Sequence, residues 1–164
     1  MNRKYKVDHY LKIIEKVRNY IPNIAISGDF IIGFPGETDK DHDATIKIIK
    51  EVKFSQAYSF KYSVRPGTPA AVFFNQVDEQ IKSSRLQEVQ NILREQQFEF
   101  NKKSINSVIK VLILKNGKKV NQYLGRSPYN QSVYFNYEKE NLIGSIINVK
   151  VSEAFQNSIS GSIV

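Results

Sequence analysis

The stretch "IAISGDFII", residues 24–32, is a nearly continuous apolar run rich in β-branched residues, and it limits what this chain can fold into more than any other segment. Such a run reads as a strand buried on both faces, which requires parallel neighbours on either side and helices above and below. An amphipathic helix precedes it at residues 8–21, with Tyr10, Leu11, Ile14, Val17 and Ile21 at helical spacing and Pro22 as the stop. After it, Thr38 or Asp39 is placed to cap a second helix, whose Ile46, Ile49 and Val52 share one face, and "FSQAYSFKYS", residues 54–63, supplies a second strand. This order of helix, strand, helix, strand is that of parallel α/β architecture. Two parallel strands with two or three helices cannot cover their own faces or close their own edges. Residues 1–77 therefore read as the last third of an α/β barrel, and their exposed strand edges predict self-association or poor solubility of that part in isolation.

The pattern then changes twice. Residues 78–104 form one long connecting helix with Ile81, Arg85, Val89, Ile92, Leu93 and Phe100 near its inner face. Beyond it the period is two. "VIKVLILKNGKKVNQYLG" holds Asn116-Gly117 between two strand-like runs, a strong hairpin signal, and "GSIINVKVSEA" and "NSISGSIV" supply at least two further strands. Residues 105–164 read as a small all-β barrel, so the fold class is α/β followed by all-β.

Composition removes several chemistries. The chain of 164 residues has no cysteine, which excludes disulfides, thiolate metal sites and cysteine-ligated clusters within it. No apolar run approaches the roughly 18 to 20 residues of a membrane span, and the charged N-terminal pattern is not a signal peptide, so the expected location is cytoplasmic, without a membrane partner. The net charge of +8 favours a polyanion as partner, and the last 60 residues carry 7 basic and 3 acidic side chains, the higher charge density of the two parts.

Two loops stand at the C-terminal ends of the two strands, where α/β folds place their ligands. The first is Gly33-Phe34-Pro35-Gly36-Glu37-Thr38, whose glycines allow backbone to approach a ligand closely and whose proline stiffens the turn; no Gly-Lys-Ser/Thr follows, so it is not a P-loop. The second, "YSVRPGTPA", sets Arg65 among two prolines and a glycine. Taken singly, the first loop is a common turn and Arg65 a surface charge; their position at one end of one sheet makes them the rim of a pocket. His9 and His42 are expected as exposed helix residues without a ligand set, and Asp39, Asp41 and Asp43 as partners of the helix dipole.

In the tail, Lys110, Lys115, Lys118, Lys119, Arg126 and Lys150 give a basic face, and Tyr123, Tyr129, Tyr134 and Phe135 are positioned either to stack on unpaired bases or to fill the barrel core.

"MNRKY", "DFIIGFPGETDKD", "AYSFKYSVRPGTPAA" and "REQQFEFN", in this order, resemble the C-terminal portion of the radical S-adenosylmethionine methylthiotransferases, most of all the MiaB-type branch that acts on isopentenyladenosine in tRNA. The tail, with "LGRSPYNQSVYF", "LIGSIINVKVSEA" and "SISG", is similar to the RNA-binding TRAM barrel of those enzymes. The resemblance covers essentially the whole chain. It implies a C-terminal fragment of a radical S-adenosylmethionine partial (β/α) barrel, then the TRAM barrel. The family adds a methylthio group at position 2 of an adenine beside the anticodon, using S-adenosylmethionine and two [4Fe-4S] clusters. By resemblance, Asp29, Ile31, Gly33, Phe34, Pro35, Gly36 and Glu37 lie beside the adenosyl group, with Ile31 or Phe34 on the adenine, and Arg3 meets the cofactor carboxylate. Arg65, Gly67 and Thr68 edge the cofactor or the target nucleotide, while Lys118, Lys119, Arg126 and Lys150 meet the tRNA anticodon stem-loop.

The departures matter equally. The family's six cluster cysteines are absent, Gly28 stands where a hydroxyl residue is usual, and Val64 where proline is usual. The chain by itself is expected not to catalyse methylthiolation. Three readings follow: a portion of a tRNA methylthiotransferase that works with a missing N-terminal part, encoded with it or separately; a stand-alone RNA-binding module; or a member of a sister branch acting on threonylcarbamoyladenosine or a ribosomal protein. "FKYSVRPGTPA" and "REQQFEFN" favour the isopentenyladenosine branch.

Overall fold

The computed structural model describes residues 4–138 and 141–164, and the chain divides into two units, Met1–Gln96 and Gln97–Val164. The division falls inside the long helix rather than at either of its ends.

The first unit runs α1 (Val7–Tyr20), β1 (Ser27–Ile32), α2 (Asp39–Val52), β2 (Gln56–Lys61), a short 3-10 helix (Pro69–Val72) and the N-terminal part of α3 (Glu79–Lys102). Thr38 is the N-cap of α2. Its hydroxyl accepts from the Asp41 amide while the Asp41 carboxylate accepts from the Thr38 amide, a complete capping box that satisfies two otherwise orphaned donors. The Thr38 hydroxyl also donates to the Asp41 carboxylate at 2.7 Å, and this bond, with that from the Thr38 amide, holds the Asp41 carboxyl below its ordinary value. At the other end Lys53 takes a left-handed conformation, the Arg18 guanidinium donates to the Val52 carbonyl, and Gln96 donates to the Ile49 carbonyl at 2.8 Å while accepting from the Phe54 amide at 3.0 Å.

β1 and β2 pair in parallel, in register from Ser27 opposite Gln56 to Ile32 opposite Lys61. Ile32, Ile46, Ile49, Val52, Phe54, Val89 and Leu93 form the core on one side of this sheet, with Tyr10, Leu11, Ile14 and Phe30 packed against it. The strand expected over 24–32 with both faces buried is shorter, and its burial alternates: Ser27, Asp29 and Ile31 are exposed. The reason is geometric, since α1, α2 and α3 all contribute to one core and β1 has one strand neighbour among the described residues. Gly28 belongs to the covered side, where a Cβ would come within 2.9 Å of the Phe54 ring.

Two expectations on the helices need correction. Ile81 is 46% exposed, because the face of α3 that packs runs through Lys82, Arg85, Val89 and Leu93. His42, expected on the surface, is buried and bonded through Nε2 to Glu88 at 2.9 Å; it lies one turn before Ile46 on the packed face of α2. His9 is exposed as expected.

α3 is fixed to the turn after β1 by charge. Arg85 is buried and donates to the Glu37 carboxylate at 2.9 Å, to the Glu37 carbonyl at 3.2 Å and to Asp39 at 2.6 Å, while the other oxygen of Glu37 accepts from the Gly33 amide at 2.9 Å. Glu37 is nearly as buried as its partner, so this pair is largely withdrawn from solvent, whereas Asp39 is an exposed addition.

The second unit is a closed barrel of β3 (Val108–Asn116), β4 (Gln122–Arg126), β5 (Ser132–Asn136), β6 (Ile146–Ala154) and β7 (Ser158–Ile163), in the order β3-β4-β5-β7-β6. Only β5 with β7 is parallel among these pairings. Closure removes the sheet edges. Val111, Ile113, Val133, Phe135, Val149, Val151 and Ile159 fill the interior. Strands crowd at Gly161, where a Cβ would sit 2.1 Å from the Lys150 carbonyl oxygen. The hairpin expected at Asn116-Gly117 exists, but its turn differs: residues 117–121 connect the strands, and Asn121 takes the left-handed conformation. The Gln122 side chain dictates this by accepting from the Lys118 and Lys119 amides, at 3.2 and 3.5 Å.

A buried polar latch ties the end of α3 to two barrel loops. Asn101 donates to the Phe155 and Gln156 carbonyls at 2.8 and 3.1 Å and accepts from Gln131 at 3.0 Å; Gln131 in turn reaches Ser104 and accepts from the Ser127 hydroxyl. All of it lies within residues 97–164, and it explains the recurrent polar residues of "FEFN" and "RSPYNQS".

Two outcomes follow for urea unfolding monitored by far-UV circular dichroism. Glu37→Ala leaves Arg85 buried without its main partner and lowers stability by about 3 kcal/mol; an unchanged midpoint would mean the pair is not what holds α3 to the turn. Asn101→Ala strands two carbonyls and the Gln131 amide, a loss of about 1–3 kcal/mol, and a variant as stable as the parent would remove the latch from the barrel's support.

Candidate functional site

The turn at residues 33–38 is built by left-handed backbone at Gly33, φ 73°, and Gly36, φ 84°. What approaches these glycines is the chain itself. A Cβ on Gly33 would lie 2.1 Å from the Lys82 side chain, and one on Gly36 would lie 2.6 Å from Asn75. Pro35 is buried, Glu37 is engaged by Arg85 and the Gly33 amide, and Phe34 packs edge-on against Tyr62 with 5.3 Å between ring centres. That ring contact joins the two loops at the strand ends, together with the Tyr62 amide donating to the Ile32 carbonyl at 2.8 Å. Gly33, Pro35 and Glu37 thus face the protein.

Asp29 and Ile31 lie on the uncovered side of β1. Their register partners on β2 are Tyr58 and Phe60, and Ile31, Tyr58 and Phe60 are 41%, 53% and 58% exposed. Neither β2 aromatic was singled out by sequence reading; the signal was the alternation of Tyr58 and Phe60 along one face. The result is an exposed apolar strip with one carboxylate on the uncovered face of the sheet. An adenosyl group would be compatible with that chemistry, the apolar side chains of Ile31 and Phe60 being available to a ring and Asp29 to a hydroxyl. S-adenosylmethionine would supply a reactive methyl or adenosyl group there. The iron–sulfur clusters do not fit: the sequence offers no thiolate, and no group of three His, Cys, Asp or Glu that could hold a metal occurs among the described residues.

Arg65, Gly67 and Thr68 form a self-contained exposed turn, with the Thr68 hydroxyl donating to the Arg65 carbonyl at 2.8 Å and Gly67 left-handed at φ 81°. Arg3 lies outside the described residues.

On the barrel, Lys118 and Lys119 stand exposed on the loop between β3 and β4. Arg126, Lys110 and Lys150 lie on the adjacent strands β4, β3 and β6, interleaved with exposed Leu112 and Ile146. Arg126 is partly occupied, donating to the Asn130 carbonyl and the Ser132 hydroxyl, both at 2.9 Å. Of the aromatic candidates, Phe135 is core, because its position on β5 points it inward with Val133. Tyr123 stacks on it at 5.7 Å, and Tyr129 meets Phe100 edge-on at 5.8 Å. Tyr134 alternates to the outer wall and stays partly exposed. Sequence reading missed Phe155, which is 50% exposed in the turn between β6 and β7 and whose only local signal was an aromatic flanked by polar residues.

Comparison with known proteins agrees with this division. The TRAM domain family matches residues 102–164. Over its length the chain is 49% identical to the tRNA-2-methylthio-N(6)-dimethylallyladenosine synthase of Ehrlichia ruminantium (strain Gardel), with 99% of this chain and 37% of the relative aligned. It is 47% identical to the synthase of the same name from Rickettsia felis, over 100% of this chain and 37% of the relative. The corresponding figures for Wolbachia sp. subsp. Brugia malayi are 49%, 98% and 37%. The chain therefore spans little more than a third of the length of the curated relatives it matches. Residues 102–164 are a TRAM domain, and the chain as a whole is related to the C-terminal part of the tRNA-2-methylthio-N(6)-dimethylallyladenosine synthases.

Proposed function

We propose that this chain is the C-terminal portion of a tRNA methylthiotransferase that modifies dimethylallyladenosine, the isopentenyladenosine of the sequence reading. The observation that carries the reading is identity near one half along the entire chain to synthases of that name. The first unit contributes part of a radical S-adenosylmethionine barrel. In it Asp29 and Ile31, with Tyr58 and Phe60, form the wall against the adenosyl group, and Gly33, Phe34, Pro35, Gly36 and Glu37 shape the adjoining turn. Arg65, Gly67 and Thr68 edge the target nucleotide. The barrel binds the tRNA anticodon stem-loop, with Lys118, Lys119, Arg126 and Lys150 meeting phosphates. The clusters are held by cysteine-bearing residues outside this sequence, in the same polypeptide or another. A stand-alone RNA-binding role has no separate observation in its favour.

Two measurements bear on this. Fluorescence anisotropy with a labelled anticodon stem-loop is expected to give binding that weakens linearly in log affinity with log salt, and Arg126→Ala is expected to weaken binding at low salt and reduce that slope by about 1; an unchanged affinity would remove Arg126 from the interface. Anaerobic reconstitution with iron and sulfide is expected to give no [4Fe-4S] absorption band and no cleavage of S-adenosylmethionine by the chain alone, and a chain that did both would overturn the reading.

A further inference from the structure

Two loops and four strands of the barrel meet around one cleft of about 380 Å³, within the range of small-ligand sites. Lys119 enters it from the β3–β4 loop, Gln122 from the start of β4, Tyr134 from the outer wall of β5, Glu153 from β6, Phe155 from the β6–β7 turn and Ser160 from β7. The lining combines three aromatic residues, of which Phe155 is half exposed, Tyr134 partly exposed and Phe135 buried beneath, with one cation and one carboxylate. Phe155 is not an unsupported surface residue. Its carbonyl is gripped by the buried Asn101 amide at 2.8 Å, and its own amide donates to the Ser158 carbonyl at 2.8 Å, so the turn that carries the ring is fixed at both backbone groups.

We infer that this cleft is a binding site for a single unpaired nucleotide of RNA, with the base against Phe155 and Tyr134 and its phosphate on Lys119. The inference rests on the RNA-binding reading of the barrel and adds to it the place, the ring that stacks and the class of base. Aromatic faces stack on any base, and a lysine beside them meets the backbone phosphate. Glu153 narrows the choice. One of its oxygens accepts from the Ser160 hydroxyl at 3.0 Å, which orients the carboxylate in the cleft. A carboxylate repels phosphate and accepts hydrogen bonds from an exocyclic amino group, which cytosine offers and uracil lacks. A second cleft, of about 600 Å³, adjoins the first by sharing Lys119 and Gln122, and Asn116, Asn121 and Tyr137 line it with amide and phenol groups. A neighbouring nucleotide has room there, on the other side of the same lysine.

The chain has no tryptophan, so Phe155→Trp introduces a single reporter at the proposed stacking position. Titrating this variant of the full chain with short single-stranded oligo(C) is expected to quench the tryptophan emission, with oligo(U) binding several-fold more weakly. Phe155→Ala is expected to weaken oligo(C) binding about tenfold, the typical loss of one base stack. Its circular dichroism melting should match the parent, because the ring is exposed and the backbone bonds remain. RNA binding without quenching in Phe155→Trp, or with parental affinity in Phe155→Ala, would overturn the cleft while leaving the RNA reading of the barrel standing. Equal affinity for oligo(C) and oligo(U) would remove Glu153 as the group that selects the base. A parent chain that binds neither oligonucleotide nor the anticodon stem-loop would overturn the RNA reading itself, and the cleft with it.

Discussion

A sheet of two parallel strands has two faces, and the helices of the first unit cover only one of them. Everything distinctive about that unit follows from this. The covered face takes the branched aliphatic residues Ile32, Ile46, Ile49 and Val52, together with the Phe30 and Phe54 rings set edge to face at 5.3 Å. The other face keeps Asp29, Ile31, Tyr58 and Phe60 at the surface. Burying apolar area of that size contributes about 25 cal/mol per Å², so leaving it bare is unfavourable unless something else covers it. The turn after β1 is held on the covered side by the buried Glu37–Arg85 pair, and its two glycines make room for Lys82 and Asn75. The strand-to-helix turn therefore packs against the protein itself, while Asp29, Ile31, Tyr58 and Phe60 stay accessible on the other face.

The barrel differs because its closure leaves no strand unpaired. It has its own interior and a polar latch of Asn101, Gln131 and Ser127 that fixes the loops around it. Basic residues are distributed over β4, β3, β6 and one loop, so phosphate contacts are available along several directions. On the proposed reading, exposed lysines and Arg126 would supply affinity for a polyanion, and the cleft with aromatic walls, where Lys119 also lies, would read the base.

Features encoded within a few residues were legible from the sequence. The Thr38 cap, the helical spacing of Ile46, Ile49 and Val52, the parallel α/β order and the period-two tail all follow from local pattern, and the structure has each of them. What escaped depends on partners distant along the chain. Arg85 and Glu37 are 48 residues apart, and no spacing rule announces that Glu37 serves α3 and not a ligand. His42 looked like a polar helix residue until Glu88, 46 residues on, supplied its partner. Asn116-Gly117 promised a tight turn, but the Gln122 side chain captured the following amides and lengthened the loop. Phe155 carried no periodicity at all, being one aromatic in a turn whose position is set by Asn101 from another element.

On the proposed function, the bare face of β1 and β2 belongs to an enzyme larger than these 164 residues. The direct measurement is an immunoblot of native cell lysate with an antibody raised against the barrel, run beside the recombinant chain of 18.9 kDa. A band far above the recombinant chain is the predicted result, and it would set the residues of that face in the context of the whole transferase. A band only at the recombinant size would contradict the claim and leave a cysteine-free chain working by itself.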